Sequence, residues 1–198
     1  ILKYSANASS VHRFGSKVKS VMNASRSIIS DYICADPSEI YFNSGGTEGN
    51  STVLNGLSRP IFVSSIEHDS IIVPAETNKN FESLIRVKKN GVIDLDNLEK
   101  MLNLSSIPVL VSVMYANNET GIIQPVSEVA RLTKKYNAIF HCDAVQALGK
   151  IHVDVESIGA DIITLSAHKV GGPQGVGALW IKSGISVDPL IVGGGQER

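Results

Sequence analysis

The chain has 198 residues, 43% of them hydrophobic, and a formal net charge of −1 at pH 7. That length can hold one domain with a sizeable core, and the balanced charge offers neither a basic face for nucleic acid nor a solvated acidic tail. No stretch approaches the ~18 consecutive apolar residues of a membrane span, the start "ILKYSANASS" lacks the plan of a signal peptide, and two cysteines, Cys34 and Cys142, do not make a disulfide framework. A soluble protein of a reducing, intracellular compartment is expected, in which the five N-x-S/T sequons carry no meaning.

Residues 14–33 place Val18, Val21, Ile28, Ile29 and Ile33 among polar positions at helical spacing, which predicts an amphipathic helix. "EIYFNS" follows as a short strand and "TEGNSTVLNGL" as a helix. "PIFVSS" is a second buried strand, after which "IEHDSIIVPAE" starts a helix. Asp94 is placed to cap a helix over 94–103. "PVLVSVMYA" is a β-branched strand that stops at the turn "NNETG". "PVSEVARLTKKYN" has proline at a helix start and lysines in its last turn. The strands "AIFHCD" and "DIITLSAH" come next, then a glycine turn and "GALWIKS". No repeat, linker or low-complexity tract interrupts this alternation. It predicts a single α/β domain over 1–198, with a central, mainly parallel sheet covered by helices on both faces.

In such a sheet, ligands sit beyond the carboxyl ends of the strands. The groups found there are Ser44-Gly45-Gly46-Thr47, Glu67-His68, Asn117-Asn118, Asp143 with Gln146, and Ser166-Ala167-His168-Lys169. A lysine at the edge of a pocket can form a Schiff base with an aldehyde, and the common aldehyde cofactor is pyridoxal phosphate. Its ring nitrogen calls for a carboxylate such as Asp143. Its phosphate calls for hydroxyls and unpaired backbone N–H groups, which Ser44-Gly45-Gly46-Thr47 supplies at a helix start. Ser166 and His168, two residues apart, would share one side of an extended segment, with Lys169 turned to the other. Singly, each feature has a plain reading. The glycines make a tight turn, Asp143 a cap, His68 and Lys169 surface residues, Asn117-Asn118 a turn. Their recurrence on successive strand ends makes the case for one site.

Other chemistries fit less well. No lysine follows Gly46, so the G-x-x-x-x-G-K-[ST] phosphate loop is missing, and "GGPQGVG" is not G-x-G-x-x-G. His141, Cys142 and Asp143 are adjacent on a strand and point to alternate faces, which prevents joint zinc chelation. A G-x-S-x-G elbow is absent too.

The motifs "ASSVHRFG", "EIYFNSGGTEGN", "EHDSI", "NNETGIIQPV", "FHCDAVQALGKIHVD", "LSAHKVGGPQGVGALW" and "GGGQER" occur nearly end to end. In that order they resemble the cysteine desulfurases (NifS- and IscS-like), in the class V aminotransferase group of fold-type-I pyridoxal phosphate enzymes. The resemblance implies a three-layer α/β sandwich, the large cofactor-binding domain. It implies that Lys169 is the Schiff-base lysine, that Asp143 pairs with the pyridine nitrogen, and that Gln146 contacts the ring's phenolic oxygen. His68 would stack on the ring and help proton transfer. Gly46 with Thr47, and Ser166 with His168 across Ala167, would hold the phosphate. Asn118 would sit near the substrate carboxylate and ring oxygen. Gly49, Ser51 and Gln174 depart from the family's usual residues without removing a contact.

Members of the family are longer. They have a segment before "ASSVHRFG" and a small domain after "GGGQER", which carries the persulfide-forming cysteine, a substrate-binding arginine and a threonine given to the partner subunit. Cys34 and Cys142 are expected to be small buried hydrophobes rather than substitutes for that cysteine. The implied reaction converts L-cysteine to L-alanine and leaves the sulfur on an enzyme cysteine as a persulfide, for an iron–sulfur scaffold or another acceptor protein. These 198 residues alone are expected to be inactive. A homodimer in the bacterial cytoplasm or mitochondrial matrix is the implied setting, without nucleic acid, membrane or metal. The alternatives are another class V enzyme, such as a selenocysteine lyase or aminotransferase, and a non-catalytic domain.

Overall fold

The computed structural model describes residues 6–194 and Glu197. Residues 1–5 of the start "ILKYSANASS", and Gly195, Gln196 and Arg198 of "GGGQER", lie outside the described residues. The strands are β1 (Ile40–Asn43), β2 (Ile61–Ser64), β3 (Phe81–Ile85), β4 (Leu110–Met114), β5 (Ile139–Asp143), β6 (Ile162–Ser166) and β7 (Gly177–Ile181). They form one sheet in the order β1-β7-β6-β5-β4-β2-β3. β7 is antiparallel to both its neighbours, whereas β3, β2, β4, β5 and β6 pair in parallel. β1 therefore runs with the parallel set, and the carboxyl ends of β1, β2, β4, β5 and β6 share one edge.

Among the described residues, six α-helices cover the sheet: α1 (Arg13–Ile33), α2 (Gly46–Gly56), α3 (Asp69–Thr77), α4 (Leu95–Leu104), α5 (Val126–Lys135) and α6 (Val155–Ile158). The period of two along the strands divides their side chains between two cores. Leu110, Ile139, Ile162 and Leu179 join Val53, Leu54, Ile71 and Ala75 of α2 and α3. Val111, Phe140, Ile163 and Trp180 join Ile33, Leu98, Val129 and Ile158 from α1, α4, α5 and α6. Every residue of β4, β5 and β6 is buried, which explains their continuous apolar runs. The expected α/β sandwich is the fold.

Local chemistry sets the ends. Asp94 caps α4 by accepting from the Asn97 N–H at 3.2 Å. Cys34 closes α1 at φ 57° with its N–H on the Ser30 carbonyl. It is exposed, which corrects the expectation of a buried residue; a helix-closing left-handed position faces solvent. Cys142 is fully buried, as expected. Residues 167–170 form a 3-10 turn rather than an extended segment. Arg26 is buried on α1, where it pairs with Glu197, donates from Nε to the Ile40 carbonyl at 3.1 Å and stacks on Phe42. Among the described residues, no helix is long and apolar enough to cross a membrane.

Candidate active site

The site begins where β1 turns into α2. Gly45 adopts φ 147°, a conformation side-chain-bearing residues rarely take, and no side chain caps the helix. The first N–H groups of α2, Gly46 and Thr47 among them, lack intrahelical partners and sit at the positive end of the helix dipole. The fit against the sheet is close. A Cβ on Gly46 would lie 3.0 Å from Val145 Cγ2, and one on Gly49 2.9 Å from Thr164 Cγ2. Small residues on α2 therefore let its start approach the ends of β5 and β6.

A cavity of about 320 Å³ opens at that edge. Of the residues singled out in the sequence, Gly46, Thr47, His68, Asn118, Asp143, Gln146, His168 and Lys169 line it. Ser166 and Ala167 do not. Ser166 stands behind His168, its Oγ 2.9 Å from Nδ1, and the Ala167 N–H donates to the Val176 carbonyl at 3.0 Å and holds the turn. Ser166 and His168 thus share one side although the segment is not extended. Gln146 accepts from the Lys150 amine at 2.6 Å. The loop of Asn118 is pinned to that of His68 by Asn117, whose amide donates to the Ile66 carbonyl at 3.0 Å.

The cavity also contains Asn50, Ser70, Met114, Ala116 and Val145, which sequence reasoning passed over. Asn50 carried a usable signal: it lies four residues after Gly46 and so on the same face of α2. It donates from Nδ2 to Asp143 Oδ2 at 2.8 Å and to Ser70 Oγ at 2.9 Å. Ser70 Oγ is in turn 2.9 Å from Nδ1 of His68.

Burial pushes the Asp143 carboxyl above the usual carboxylate range, against the pull of the Val145 N–H, the Asn50 amide and His68. Burial, and then the Asp143 charge, push Glu67 well above that range, with Oε1 accepting from the Met114 N–H at 2.7 Å. Two residues before Asp143 on β5, His141 is held at about 3 by burial alone. Asp143 has no cationic side chain in ion-pair contact among the described residues. A ligand with a cationic ring nitrogen at the floor and an anionic group at the start of α2 fits this donor set. No group of three metal-ligating side chains occurs among the described residues.

A wider cavity of about 830 Å³ lies at the opposite edge, against Cys34, Asn137, Ala138, Gly159 and Asp161, where β5 and β6 begin. It holds none of the groups just described, so size and chemistry separate.

The comparisons with known proteins bear on this geometry. The family profile described as Aminotransferase class-V matches residues 1–198. Cysteine desulfurase IscS 1 of Archaeoglobus fulgidus is 43% identical over 97% of this chain and 52% of its own length. Cysteine desulfurase IscS of Dictyoglomus turgidum is 40% identical over 97% of this chain and 51% of its own. Among solved structures, a NifS-like protein from Rickettsia africae superposes with a TM-score of 0.93 at 39% identity, over 96% of this chain and 54% of that one. SspA, solved in complex with cysteine, superposes with a TM-score of 0.90 at 31% identity, over 98% of this chain and 59% of that one. The chain spans about half the length of the curated relatives it matches.

Proposed function

The chain belongs to the class-V aminotransferase family, which is pyridoxal phosphate-dependent in general, and from that premise we propose that residues 1–198 are the large, cofactor-holding domain of a cysteine desulfurase. The observation that carries this is the meeting of Lys169, His68, Asp143 and the uncapped start of α2 around one cavity. The phosphate would be held by the N–H groups of Gly46 and Thr47, the Thr47 hydroxyl, and Ser166 with His168 over the Ala167 turn. Asp143 would hold the ring nitrogen, Gln146 the phenolic oxygen and His68 one ring face. When bound, the cofactor supplies an electron-accepting ring that takes up negative charge from the substrate's α-carbon.

The chain's own residues orient and move protons. Asp143 is buried and takes donors from Val145 and Asn50, so its remaining lone pairs would accept from a ring nitrogen with little competing water. Lys169 is exposed at the cavity rim, on a turn braced by its backbone bonds, where its amine can meet the cofactor's aldehyde and later carry a proton. His68 supplies a second proton-transfer group on the side of Asn118, which would orient the substrate carboxylate. The substrate is L-cysteine and the products are L-alanine and a sulfur atom passed to a protein thiol as a persulfide. Neither cysteine here serves as that thiol. Cys142 is buried in β5, where burial pushes the thiol pKa well up, and Cys34 lies at the other edge of the sheet. The accepting thiol comes from outside these residues. An iron–sulfur scaffold or another sulfur acceptor protein, a homodimer, and a cytoplasmic or mitochondrial-matrix location complete the proposal.

The test is alanine formation from L-cysteine by the full-length protein. Lys169→Ala should abolish turnover, and His68→Ala should lower kcat by about 10²–10⁴-fold, the usual worth of a positioned proton-transfer group. Cys34→Ser and Cys142→Ala should leave it intact. Unchanged turnover in Lys169→Ala, or its loss in Cys34→Ser, would overturn the assignment.

A further inference from the structure

Four side chains from three elements form one connected set: Asp143 ending β5, Asn50 on α2, and His68 and Ser70 at the start of α3. Asp143 Oδ2 lies 2.8 Å from Asn50 Nδ2, and the same nitrogen lies 2.9 Å from Ser70 Oγ. Ser70 Oγ is 2.9 Å from His68 Nδ1, which also receives the Ser70 backbone N–H at 3.0 Å. Asn50, Ser70 and Asp143 are all buried, Asn50 completely.

The proton positions follow from what each group can do. Above its raised pKa the Asp143 carboxylate only accepts, so the Asn50 atom facing it is the amide nitrogen. Both its hydrogens are then committed, one to Asp143 and one to Ser70 Oγ. Ser70 Oγ, occupied as an acceptor, has its own hydrogen left to give, and Nδ1 of His68 is the acceptor within reach. With the backbone N–H and the hydroxyl both donating to it, Nδ1 carries no proton. The neutral imidazole therefore keeps its hydrogen on Nε2. The Asn50 carbonyl oxygen, buried and unpartnered among the described residues, is consistent with an amide whose orientation is fixed by the two bonds at its nitrogen.

We infer that Asn50 and Ser70 are positioning residues, which tie His68 to Asp143 and hold its ring in the tautomer that presents an N–H from Nε2. This rests on the reading above, in which His68 faces a ring held by Asp143. It adds that neutral His68 presents Nε2–H to the reacting groups as a hydrogen-bond donor, and that this tautomer is fixed by residues outside the set expected to touch the cofactor.

The test reads the imidazole itself. Nitrogen NMR of the ¹⁵N-histidine-labelled chain without cofactor, at a pH where His68 is neutral and with His68→Gln for assignment, should show Nδ1 as an unprotonated, hydrogen-bonded acceptor and Nε2 as N–H. Ser70→Ala should move the Nδ1 signal toward that of a free acceptor, and Ser70→Thr, which restores a hydroxyl, should bring it back. Asn50→Leu should move Nδ1 in the Ser70 background and have no further effect in the Ser70→Ala background, because it acts through that hydroxyl. A protonated Nδ1 in the unmodified chain, an Nδ1 signal indifferent to Ser70→Ala, or additive effects of the two substitutions would overturn the inference. Should Asn50→Leu not fold, the Ser70→Ala and Ser70→Thr pair decides. Because no cofactor is present, failure of the cofactor assignment leaves these outcomes unchanged.

Discussion

His141 shows how one buried side chain ties stability to pH. Its Nδ1 is 2.9 Å from Ser112 Oγ and its Nε2 2.9 Å from Thr164 Oγ1, so one ring nitrogen can accept and the other donate with no charge. Burial lowers its pKa from 6.5 to about 3. The unfolded chain therefore binds the proton more readily than the folded one. The stabilisation is complete above 6.5 and is lost as pH falls from there toward about 3, at about 1.4 kcal/mol per pH unit. Asp143 and Glu67, both raised, act in the opposite sense. Their contribution is full below the ordinary carboxylate range and declines as pH rises through their raised values. The difference between the unmodified chain and His141→Gln isolates the histidine. Urea unfolding from pH 6.5 down to about pH 4 should give a dependence shallower by about 1.4 kcal/mol per unit in the variant. Parallel curves would mean that His141 titrates normally in the fold.

At the scale of elements, α2 is closely constrained by its surroundings. Its last residue, Gly56, leaves no room for a side chain: a Cβ would lie 2.4 Å from the Asp188 carbonyl oxygen and 2.6 Å from Val187 Cγ1. The same glycine's carbonyl accepts from the Asp188 N–H at 2.9 Å, which holds that segment against the helix end. Gly56→Ala should therefore cost about 1–3 kcal/mol despite alanine's better helix propensity, measured by denaturant unfolding. A neutral or stabilising change would show that the 187–189 segment yields freely. The glycine's neighbours across the chain are invisible in sequence, whereas the elements themselves were largely legible. β4, β5 and β6 announced themselves as apolar runs because both faces are covered, and α4 announced itself through Asp94. β3 did not. It is an edge strand whose Glu82, Ser83 and Leu84 are exposed, so it lacks both an apolar run and a clean alternation. α6 is a single turn between Asp154 and Gly159, too short for a helical period. The strength of the strand before it makes the turn at 167–170 look extended in sequence, and the common structural uses of a helix-interior asparagine and a serine hide Asn50 and Ser70. The strand-end rule found the edges of the site, and only packing could reveal what lies beneath it.

The whole molecule separates its two edges. Cys34, exposed beside the wider cavity, stands where β5 and β6 begin, and Asp143, Ser166 and the turn bearing Lys169 stand where they end. A five-residue strand spans roughly 15 Å, too far for the Cys34 thiol to meet a substrate held near Lys169. Central to the proposed function is that the edge carrying Lys169 holds pyridoxal phosphate. The direct measurement is to incubate the chain with pyridoxal phosphate, reduce with borohydride, and map the pyridoxyl-labelled peptide by mass spectrometry. The label should fall on Lys169 at one equivalent, with the yellow absorbance before reduction lost in Lys169→Ala and strongly weakened in Asp143→Ala. Label scattered over surface lysines such as Lys88 and Lys134, with the same absorbance in Lys169→Ala, would contradict it.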